Sequence, residues 1–363
     1  MVTTRFLTKY PDGESSRTIG LLRWVLMVLV VVIHTDLRPD TGCAESTYGV
    51  FYRWMENVIE LATPLFFLIS GYLFVASDRG FTWRVFTDKC RRRVRTWLIP
   101  YILWNTLFLL FYGLMGLLLP SALGEIPPLQ EMTFVDVLKS YWCIRGEGFN
   151  SGPIDAPLWF LRDLMVVALF TPLFYSLVKF HKASLVVPLV LASLPHQLGF
   201  EPETACFIIG CWLNVWIPSL SDWLRKPLWW PLGIYLGTVL LLMSRLPLPE
   251  WLLAPVTLVR NLSGMLLIAR LCHMSVVQYP SVDWRTLATP VFFVFAFHSL
   301  PARALTKLSA NWLLAHGSGG FLYITAQLLN VVLSIAISLL AYNLLKRIWP
   351  WAWRWLSGLK QNS

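Results

Sequence analysis

The sequence predicts an all-α membrane protein, a bundle of about ten transmembrane helices with both termini in the cytoplasm. Of the 363 residues, 56% are hydrophobic and only 14% are charged, whereas soluble domains carry roughly a quarter charged residues. The 19 Trp and 22 Phe residues suit the aromatic belts that flank a bilayer. The apolar residues also fall into long runs with basic residues between them, a pattern that favours an integral membrane protein over a soluble enzyme.

Each predicted span is a run of about 20 mostly apolar residues, the length that crosses the hydrocarbon core as a helix. No internal repeat or low-complexity linker separates the runs, so we expect a single domain over residues 1–363. The first run follows a polar stretch and has no small-residue cleavage site after it, so we do not expect a cleaved signal peptide. The ten predicted spans, of which the fifth, sixth and ninth are short, cover residues 19–37, 56–76, 97–119, 157–178, 183–199, 203–217, 228–245, 252–272, 287–302 and 321–345.

The basic residues orient the predicted bundle. Cytoplasmic segments are enriched in Lys and Arg, and with the N-terminus inside, about two thirds of the 30 basic residues fall in inner segments. This distribution assigns the net charge of +10 to membrane topology rather than to nucleic-acid binding. The longest loop, about 120–156, suits the outside because it carries five carboxylates, those of Glu125, Glu131, Asp136, Glu147 and Asp155.

The six cysteines show no CxxC pair and no metal-ligand spacing, so we expect no metal. Cys43 and Cys143 both fall in predicted outer loops. Either a disulfide or two unrelated thiols would fit this placement.

Ionisable residues within predicted spans are the first candidates for function, because each costs about 2.5–3.5 kcal/mol or more in hydrocarbon. Arg23 and His34 share the first span and are eleven residues apart, so one helix face carries both, with a rise of roughly 16 Å between them. This places a cation near the cytoplasm and a titratable imidazole near the outer surface. A snorkelling arginine and an interfacial histidine would give the same spacing.

Polar groups of other spans are predicted at the depth of His34. Glu60 lies in the outer part of the second span, and Pro64 cannot donate to the carbonyl of residue 60, so a kink is expected beside this carboxylate. A position at the water-exposed rim is the alternative for Glu60. We expect a shared polar cavity, although boundary positions or internal ion pairs would also account for the other polar residues, Arg162, Asp163, Arg260, Asn261, His298, Gln327 and Asn330.

A dense basic cluster fills the predicted inner loop 77–96. Arg92 and Arg95 are three residues apart, so a helix would align them, and paired guanidinium groups bind phosphate well. The alternatives are ordinary positive-inside topology and binding of anionic lipid. A polyphosphate ligand docked here could extend toward His34, whose neutral imidazole suits a general base for a hydroxyl arriving from outside. The cluster contains Arg84, Lys89, Arg91, Arg92, Arg93 and Arg95.

Five different short segments follow one another in order along the chain. They are LLRWVLMVLVVVIHT with Arg23 and His34, LATPLFFLISGYLF with Ser70 and Gly71, RRRVRTWLIPY with Arg92 and Arg95, APLWFLRDL, and FAFHSL with His298. Together they resemble the acyltransferase family 3 membrane proteins, which include bacterial polysaccharide and peptidoglycan O-acetyltransferases. The first segment resembles the Arg-x10-His signature of that family, and the third resembles its Arg-x-x-Arg motif.

The resemblance implies an O-acyltransferase of the bacterial inner membrane. Such an enzyme would move an acyl group, often acetyl, from cytoplasmic acyl-CoA to a hydroxyl of an envelope glycan or a lipid-linked saccharide, among membrane lipids and without metal or nucleic acid. His34 would deprotonate the acceptor or carry the acyl group, Glu60 would orient His34, and Arg23 would contact the donor. The remaining implied roles are phosphate binding by Arg92 and Arg95, passage of the pantetheine arm at a Ser70–Gly71 turn, and acceptor binding by Arg162, Asp163, Arg260 and His298.

Two other function classes stay open at this point. A transporter or flippase could use the same polar cavity, although transporters often contain inverted repeats and none is apparent in the sequence. A non-catalytic membrane scaffold would use the buried charges as packing pairs.

Overall fold

Helices make up nearly all of the regular structure. The computed structural model describes residues 10–43, 46–78, 80–118, 129–143, 152–193, 202–244, 246, 248–316 and 319–359. These residues form nineteen α-helices and contain no β-strand, which confirms the all-α class. The first half of the chain contains α1 (Gly13–Ile33), α2 (Arg38–Thr41), α3 (Thr47–Ile59), α4 (Ala62–Val75), α5 (Trp83–Arg93), α6 (Ile99–Leu118), α7 (Phe134–Ser140), α8 (Trp159–Leu169) and α9 (Thr171–Phe180).

The second half contains ten further helices. Short 3-10 segments also occur at Leu129–Glu131, Ala156–Leu158 and Lys182–Leu185, and a π-helical segment, Val94–Leu98, joins α5 to α6. The second-half helices are α10 (Val186–Ala192), α11 (Pro202–Trp216), α12 (Leu220–Leu224), α13 (Trp229–Met243), α14 (Glu250–Gln278), α15 (Trp284–Leu287), α16 (Val291–Phe297), α17 (Ser299–His316), α18 (Gly320–Ile348) and α19 (Pro350–Leu356).

Among the described residues, five helical segments are long and apolar enough to cross a membrane, and seven qualify if each of two bent pairs is one span. The bent pairs, α8 with α9 and α15–α16 with α17, each turn by 61°. The chain is therefore an integral membrane protein. Three of the ten predicted spans coincide with shorter helices, α10, α11 and α13, and the last part of the fifth predicted span, residues 194–199, lies outside the described ranges.

Two segments predicted to connect spans are largely helical. Thr82 caps α5 by accepting a hydrogen bond from the backbone N–H of Val85 at 3.3 Å. No glycine or proline follows until Pro100, so the chain stays helical from Trp83 to Leu118 and carries the basic cluster on a helix. Residues 303–316, predicted to lie in an outer loop, form most of α17.

The described part of the predicted outer loop 120–156 folds back along α6. Tyr141 accepts a hydrogen bond from the Tyr101 hydroxyl through its carbonyl, and Asp155 donates its N–H to Asn105 Oδ1 at 3.2 Å. Ser140 and Ile154 are fully buried. Because Tyr101 is near the beginning of α6, this segment reaches far into the bundle. Glu125 and Glu147 lie outside the described residues.

Helix α1 occupies the centre of the bundle. It packs against α3, α4, α12, α14, α15, α16 and α18, and Leu26, Met27 and Val31 on it are fully buried. A helix that is apolar on most of its circumference is typical of such a central position. Asp12 caps its first turn, accepting from the Ser15 N–H at 2.7 Å.

Helices α4 and α11 pack closely against each other, and two glycines lie where their backbones meet. A Cβ atom on Gly71 would lie 2.0 Å from the Phe207 carbonyl oxygen, and one on Gly210 would lie 2.0 Å from the Leu68 carbonyl oxygen. Small residues allow membrane helices to pack at such short distances. Helices α3 and α4 meet at a break over Glu60–Leu61, four residues before Pro64, where the sequence predicts a kink.

Candidate active site

The two histidines at the ends of α1 and α16 form the core of the candidate site. The ring centroids of His34 and His298 are 5.0 Å apart, and the ring planes are tilted by 58°. His34 is the C-terminal cap of α1, and His298 stands at the bend between α16 and α17. Helix ends and bends at membrane depth occur where the backbone is enclosed by protein or lines a cavity.

His298 is held in one orientation. Its side chain is fully buried, and its Nδ1 lies 2.7 Å from the Phe295 carbonyl oxygen. Because a carbonyl only accepts, Nδ1 carries the proton, and in the neutral ring the lone pair is on Nε2. Among the described residues, Nε2 has no hydrogen-bond partner.

His34 is more accessible than His298. Its side chain is half-buried, and within the described ranges its only ring contact is with His298. Gln327 of α18 reaches the same region, because its Nε2 lies 3.4 Å from the Val32 carbonyl oxygen. The end of α1 therefore presents an accessible imidazole beside a buried one.

Arg23 is exposed although the helix that carries it is central. Helix α1 is unbroken from Gly13 to Ile33, so Arg23 and His34 share one face with a rise of roughly 16 Å. The Arg23 side chain is exposed, although seven helices pack against α1. Arg23 is therefore an accessible cation on the same helix face as His34.

Arg92 and Arg95, the predicted phosphate-binding pair, are both exposed. Arg92 Nε donates to the Asp88 carbonyl at 3.2 Å. The predicted alignment of the two side chains assumes a continuous α-helix, but the π-helical segment Val94–Leu98 begins between them. Lys89 is not part of the exposed basic cluster in the structure. Its Nζ donates to the carbonyls of Leu73, at 3.0 Å, and Ala76 at the end of α4.

The turn predicted at Ser70–Gly71 is wrong. Both residues lie within α4, and the space beside Gly71 is filled by the backbone of Phe207 on α11. The missing side chain of Gly71 therefore serves helix packing and leaves no room there for a pantetheine arm. Ser70 is half-buried, and its predicted role in donor binding does not depend on the packing at Gly71.

Glu60 forms an ion pair with Arg260 of α14. Arg260 Nη2 donates to Glu60 Oε2 at 2.6 Å, and Arg260 Nη1 donates to Asn57 Oδ1 at 3.0 Å. The Arg260 side chain is only 9% exposed, whereas that of Glu60 is 54% exposed. The partner that the structure places beside His34 is thus His298, while Glu60 and Arg260 bind each other.

Arg162 and Asp163 form a second pair at the beginning of α8. Arg162 Nε donates to Asp163 Oδ1 at 2.7 Å, and Arg162 Nη1 donates to the Trp142 carbonyl at 2.5 Å. The predicted acceptor-binding residues therefore belong to three groups, the histidine pair, the Glu60–Arg260 pair and the Arg162–Asp163 pair.

Other charged residues had no clear sequence signal. Arg38 binds Asp36 at 2.9 Å and Glu56 at 2.6 Å and lies 4.0 Å from the centroid of the Tyr52 ring. The Asp36 carboxylate is therefore bound by Arg38 rather than by His34. Cys43 and Cys143 are both free thiols, and within the described ranges no three His, Cys, Asp or Glu side chains are placed to hold a metal ion.

Comparison with known proteins assigns the chain to a family. A family model described as an acyltransferase domain matches residues 17–343, and no solved structure matches the chain. The chain is 27% identical over 197 residues to the succinoglycan biosynthesis protein ExoH of Rhizobium meliloti (strain 1021). That match covers 52% of this chain and 50% of the relative, so the chain spans about half the length of the curated relative it matches. The protein belongs to acyltransferase family 3.

Proposed function

We propose that the protein transfers an acyl group, most simply acetyl, from cytoplasmic acyl-CoA to a hydroxyl of an envelope glycan or lipid-linked saccharide. The observation that carries this proposal is the contact between the His34 and His298 rings, 5.0 Å apart. The name of the relative ExoH, a succinoglycan biosynthesis protein, supports a glycan as acceptor. In this proposal ten spans cross the bacterial inner membrane, with both termini in the cytoplasm and His34 near the outer leaflet.

His34 acts as the general base in the proposed reaction. The imidazole takes the proton of the acceptor hydroxyl as the oxygen attacks the thioester carbonyl carbon. The carbon–sulfur bond then breaks, and the imidazolium returns the proton to the CoA sulfur, which gives an ester and free CoA thiol. Transient acylation of His34 followed by transfer to the acceptor would use the same contacts.

His298 acts through His34. Its Nδ1–H is committed to the Phe295 carbonyl, so its Nε2 can accept the ring N–H of His34. That hydrogen bond would leave the other His34 nitrogen unprotonated and directed at the acceptor, which is the arrangement of a base oriented by a third group.

Replacement of the base tests the proposal. His34→Ala should lower acyl transfer by about 10²-fold or more while the protein still inserts into the membrane. Transfer is measured in membranes as radiolabel moved from [¹⁴C]acetyl-CoA to the envelope glycan of the native host, with mass spectrometry of the product. His316→Ala is the matched control, because His316 is an exposed histidine on α17.

The outcomes separate the competing functions. Unchanged transfer by His34→Ala would remove His34 from the mechanism. Movement of saccharide across vesicles without any CoA would instead support a transporter. If Arg23→Ala and His34→Ala lose stability in detergent, with no separate effect on activity, the charged groups serve folding and the protein is a scaffold at these positions.

A further inference from the structure

An apolar groove opens on the surface of the bundle between α6, α16, α18 and α19. Its volume is about 350 Å³, which is within the range of sites that hold a ligand. All of its lining side chains are aliphatic or aromatic, among them Leu107 of α6, Phe297 of α16 and Leu345 of α18. Water is poorly held in a space without polar partners, so the lining suits a hydrocarbon group.

Aromatic rings form the inner wall of the groove. Trp104 and Phe293 are both buried, and their ring centroids are 5.1 Å apart. Phe293 in turn stacks on Phe297 at 5.8 Å. Phe297 is the last residue of α16 and directly precedes His298. A group that fills the groove therefore packs against the helix that carries one of the two histidines of the candidate site.

Helix α19 contributes to the groove at the end where α18 terminates. Trp104 Nε1 donates to the Leu356 carbonyl at 2.9 Å, and this hydrogen bond ties the end of α19 to α6. Trp349 and Trp351 are 66% and 72% exposed, as is typical of indole rings in the interfacial layer of a bilayer. This end of the groove is therefore at headgroup depth.

Three basic residues border the same end. Lys346 and Arg347 are in the last turn of α18, between the lining residues Leu345 and Trp349, and Arg354 is on α19. All three are exposed, and none pairs with a carboxylate in the part of the chain that the structure describes. Basic residues beside an apolar surface attract anionic lipid headgroups.

We propose that one acyl chain of an anionic phospholipid occupies this groove and holds α16 in place. The chain lies against α6, α16 and α18, and the lipid phosphate meets Lys346, Arg347 and Arg354. Hydrocarbon fills the space that suits no water, and phosphate supplies the negative charge that the three cations lack. In the proposed orientation this lipid belongs to the cytoplasmic leaflet. The inference goes beyond acyl transfer and does not depend on it.

The charges favour a lipid over a second copy of the chain. A two-fold interface pairs one surface patch with the same patch of the other copy. A dimer formed through the groove would therefore bring Lys346, Arg347 and Arg354 of both copies together, and these like charges repel.

Filling the groove with a side chain tests the proposal. Phosphatidylglycerol is added to the full-length protein in mild detergent, and bound lipid is counted by native mass spectrometry. Ala341 lines the groove, so Ala341→Phe should weaken retention of phosphatidylglycerol about tenfold or more, because several buried methylene groups lose their contacts. Ala336→Phe is the matched control, since Ala336 is an exposed alanine of the same helix. Ala352→Phe, on the α19 side of the groove, repeats the test if Ala341→Phe does not fold.

The headgroup and the effect on α16 have separate measurements. The double variant Lys346→Gln with Arg347→Gln should lose the preference for phosphatidylglycerol over phosphatidylcholine, whereas Lys307→Gln, an exposed lysine of α17, should keep it. Hydrogen exchange of the amides of Val291–Phe297 should slow when phosphatidylglycerol binds to wild type, because opening of α16 then also requires loss of the lipid contacts. Ala341→Phe should show no such response.

Each contrary result overturns a stated part of the inference. Equal retention of phosphatidylglycerol by wild type and Ala341→Phe would exclude the groove as the lipid site. Equal retention of phosphatidylcholine by wild type would exclude the anionic headgroup, and unchanged exchange in α16 would exclude the effect on that helix. A dimer that Ala341→Phe dissociates would show that a second copy occupies the groove. None of these results bears on acyl transfer, which His34→Ala tests.

Discussion

The distinction between His34 and His298 is one of access. Both are imidazoles with the same ordinary chemistry, but His34 is half-buried and His298 is enclosed and donates to the Phe295 carbonyl at 2.7 Å. A group that meets substrate needs access, whereas a group that orients it needs fixed position. These environments support the roles proposed for the two histidines.

His298→Asn tests the orienting role at the residue scale. Asparagine can still donate to the Phe295 carbonyl but cannot present the ring nitrogen to His34. We expect kcat to fall by about 10–10²-fold with little change in KM, because misplacement of a catalytic group is costly even where binding is intact. Steady-state kinetics with acetyl-CoA measures both constants. A normal kcat, or the same loss in His316→Asn, would contradict the role.

At this scale the sequence predicts spacing well and distant partners poorly. Arg23 and His34 are on one helix, so their shared face follows from their separation of eleven residues. The contact of His34 with His298, or of Glu60 with Arg260, joins residues far apart in the chain and depends on how helices pack. No letter of Val94–Leu98 indicates a π-helical turn, so the change of helical period between Arg92 and Arg95 could not be predicted.

At the element scale, glycine decides how closely α4 and α11 approach. The sequence marks Gly71 as unusual within an apolar run, and the resemblance links it to the donor. The structure links it to packing, since the Phe207 carbonyl occupies the position of a side chain. A glycine alone does not reveal whether a ligand or another helix fills the space beside it.

Gly71→Leu should therefore destabilise the bundle. The added side chain would overlap the backbone of α11, and overpacking costs about 1–3 kcal/mol or more. We expect a lower melting temperature in detergent and a smaller folded fraction after purification. Gly237→Ala on α13 is the control, because a Cβ at Gly237 meets nothing within 4 Å. If Gly71→Leu melts like wild type, the close packing of α4 on α11 is not required.

At the scale of the whole molecule, contacts bring several chain segments together at one end of the bundle. At the end where α1 begins, five segments predicted to be cytoplasmic meet. The contacts are Lys89 with the Tyr10 ring at 5.7 Å, Arg225 with Glu14 at 2.7 Å, Arg285 with the Gly13 carbonyl at 3.1 Å, and Gly358 beside the Thr96 carbonyl. The chain returns to this end through helices of quite different length. Hydropathy therefore predicts which segments lie together more accurately than it predicts where each helix begins and ends.

The loop 120–156 shows the limit of that reasoning. Its acidic residues indicate water, and the prediction treats it as a simple outer connection. In the structure its described part packs along α6 through Tyr141 and Asp155. The charge of a segment indicates on which side of the membrane the segment begins. Whether the segment then folds back into the bundle depends on specific hydrogen bonds, such as the one that the Asp155 N–H donates to Asn105 Oδ1.

The proposed orientation predicts opposite accessibility for the two ends. In a variant without native cysteines, Asp40→Cys near the end of α1 should react with a membrane-impermeant maleimide in intact spheroplasts. Ser281→Cys, between α14 and α15, should react only after the membrane is opened. Both positions are exposed, so the label reports the side of the membrane rather than burial. Labelling of Ser281→Cys alone in intact spheroplasts would reverse the orientation, and His34 would then face the cytoplasm, where it could not receive an acceptor from outside.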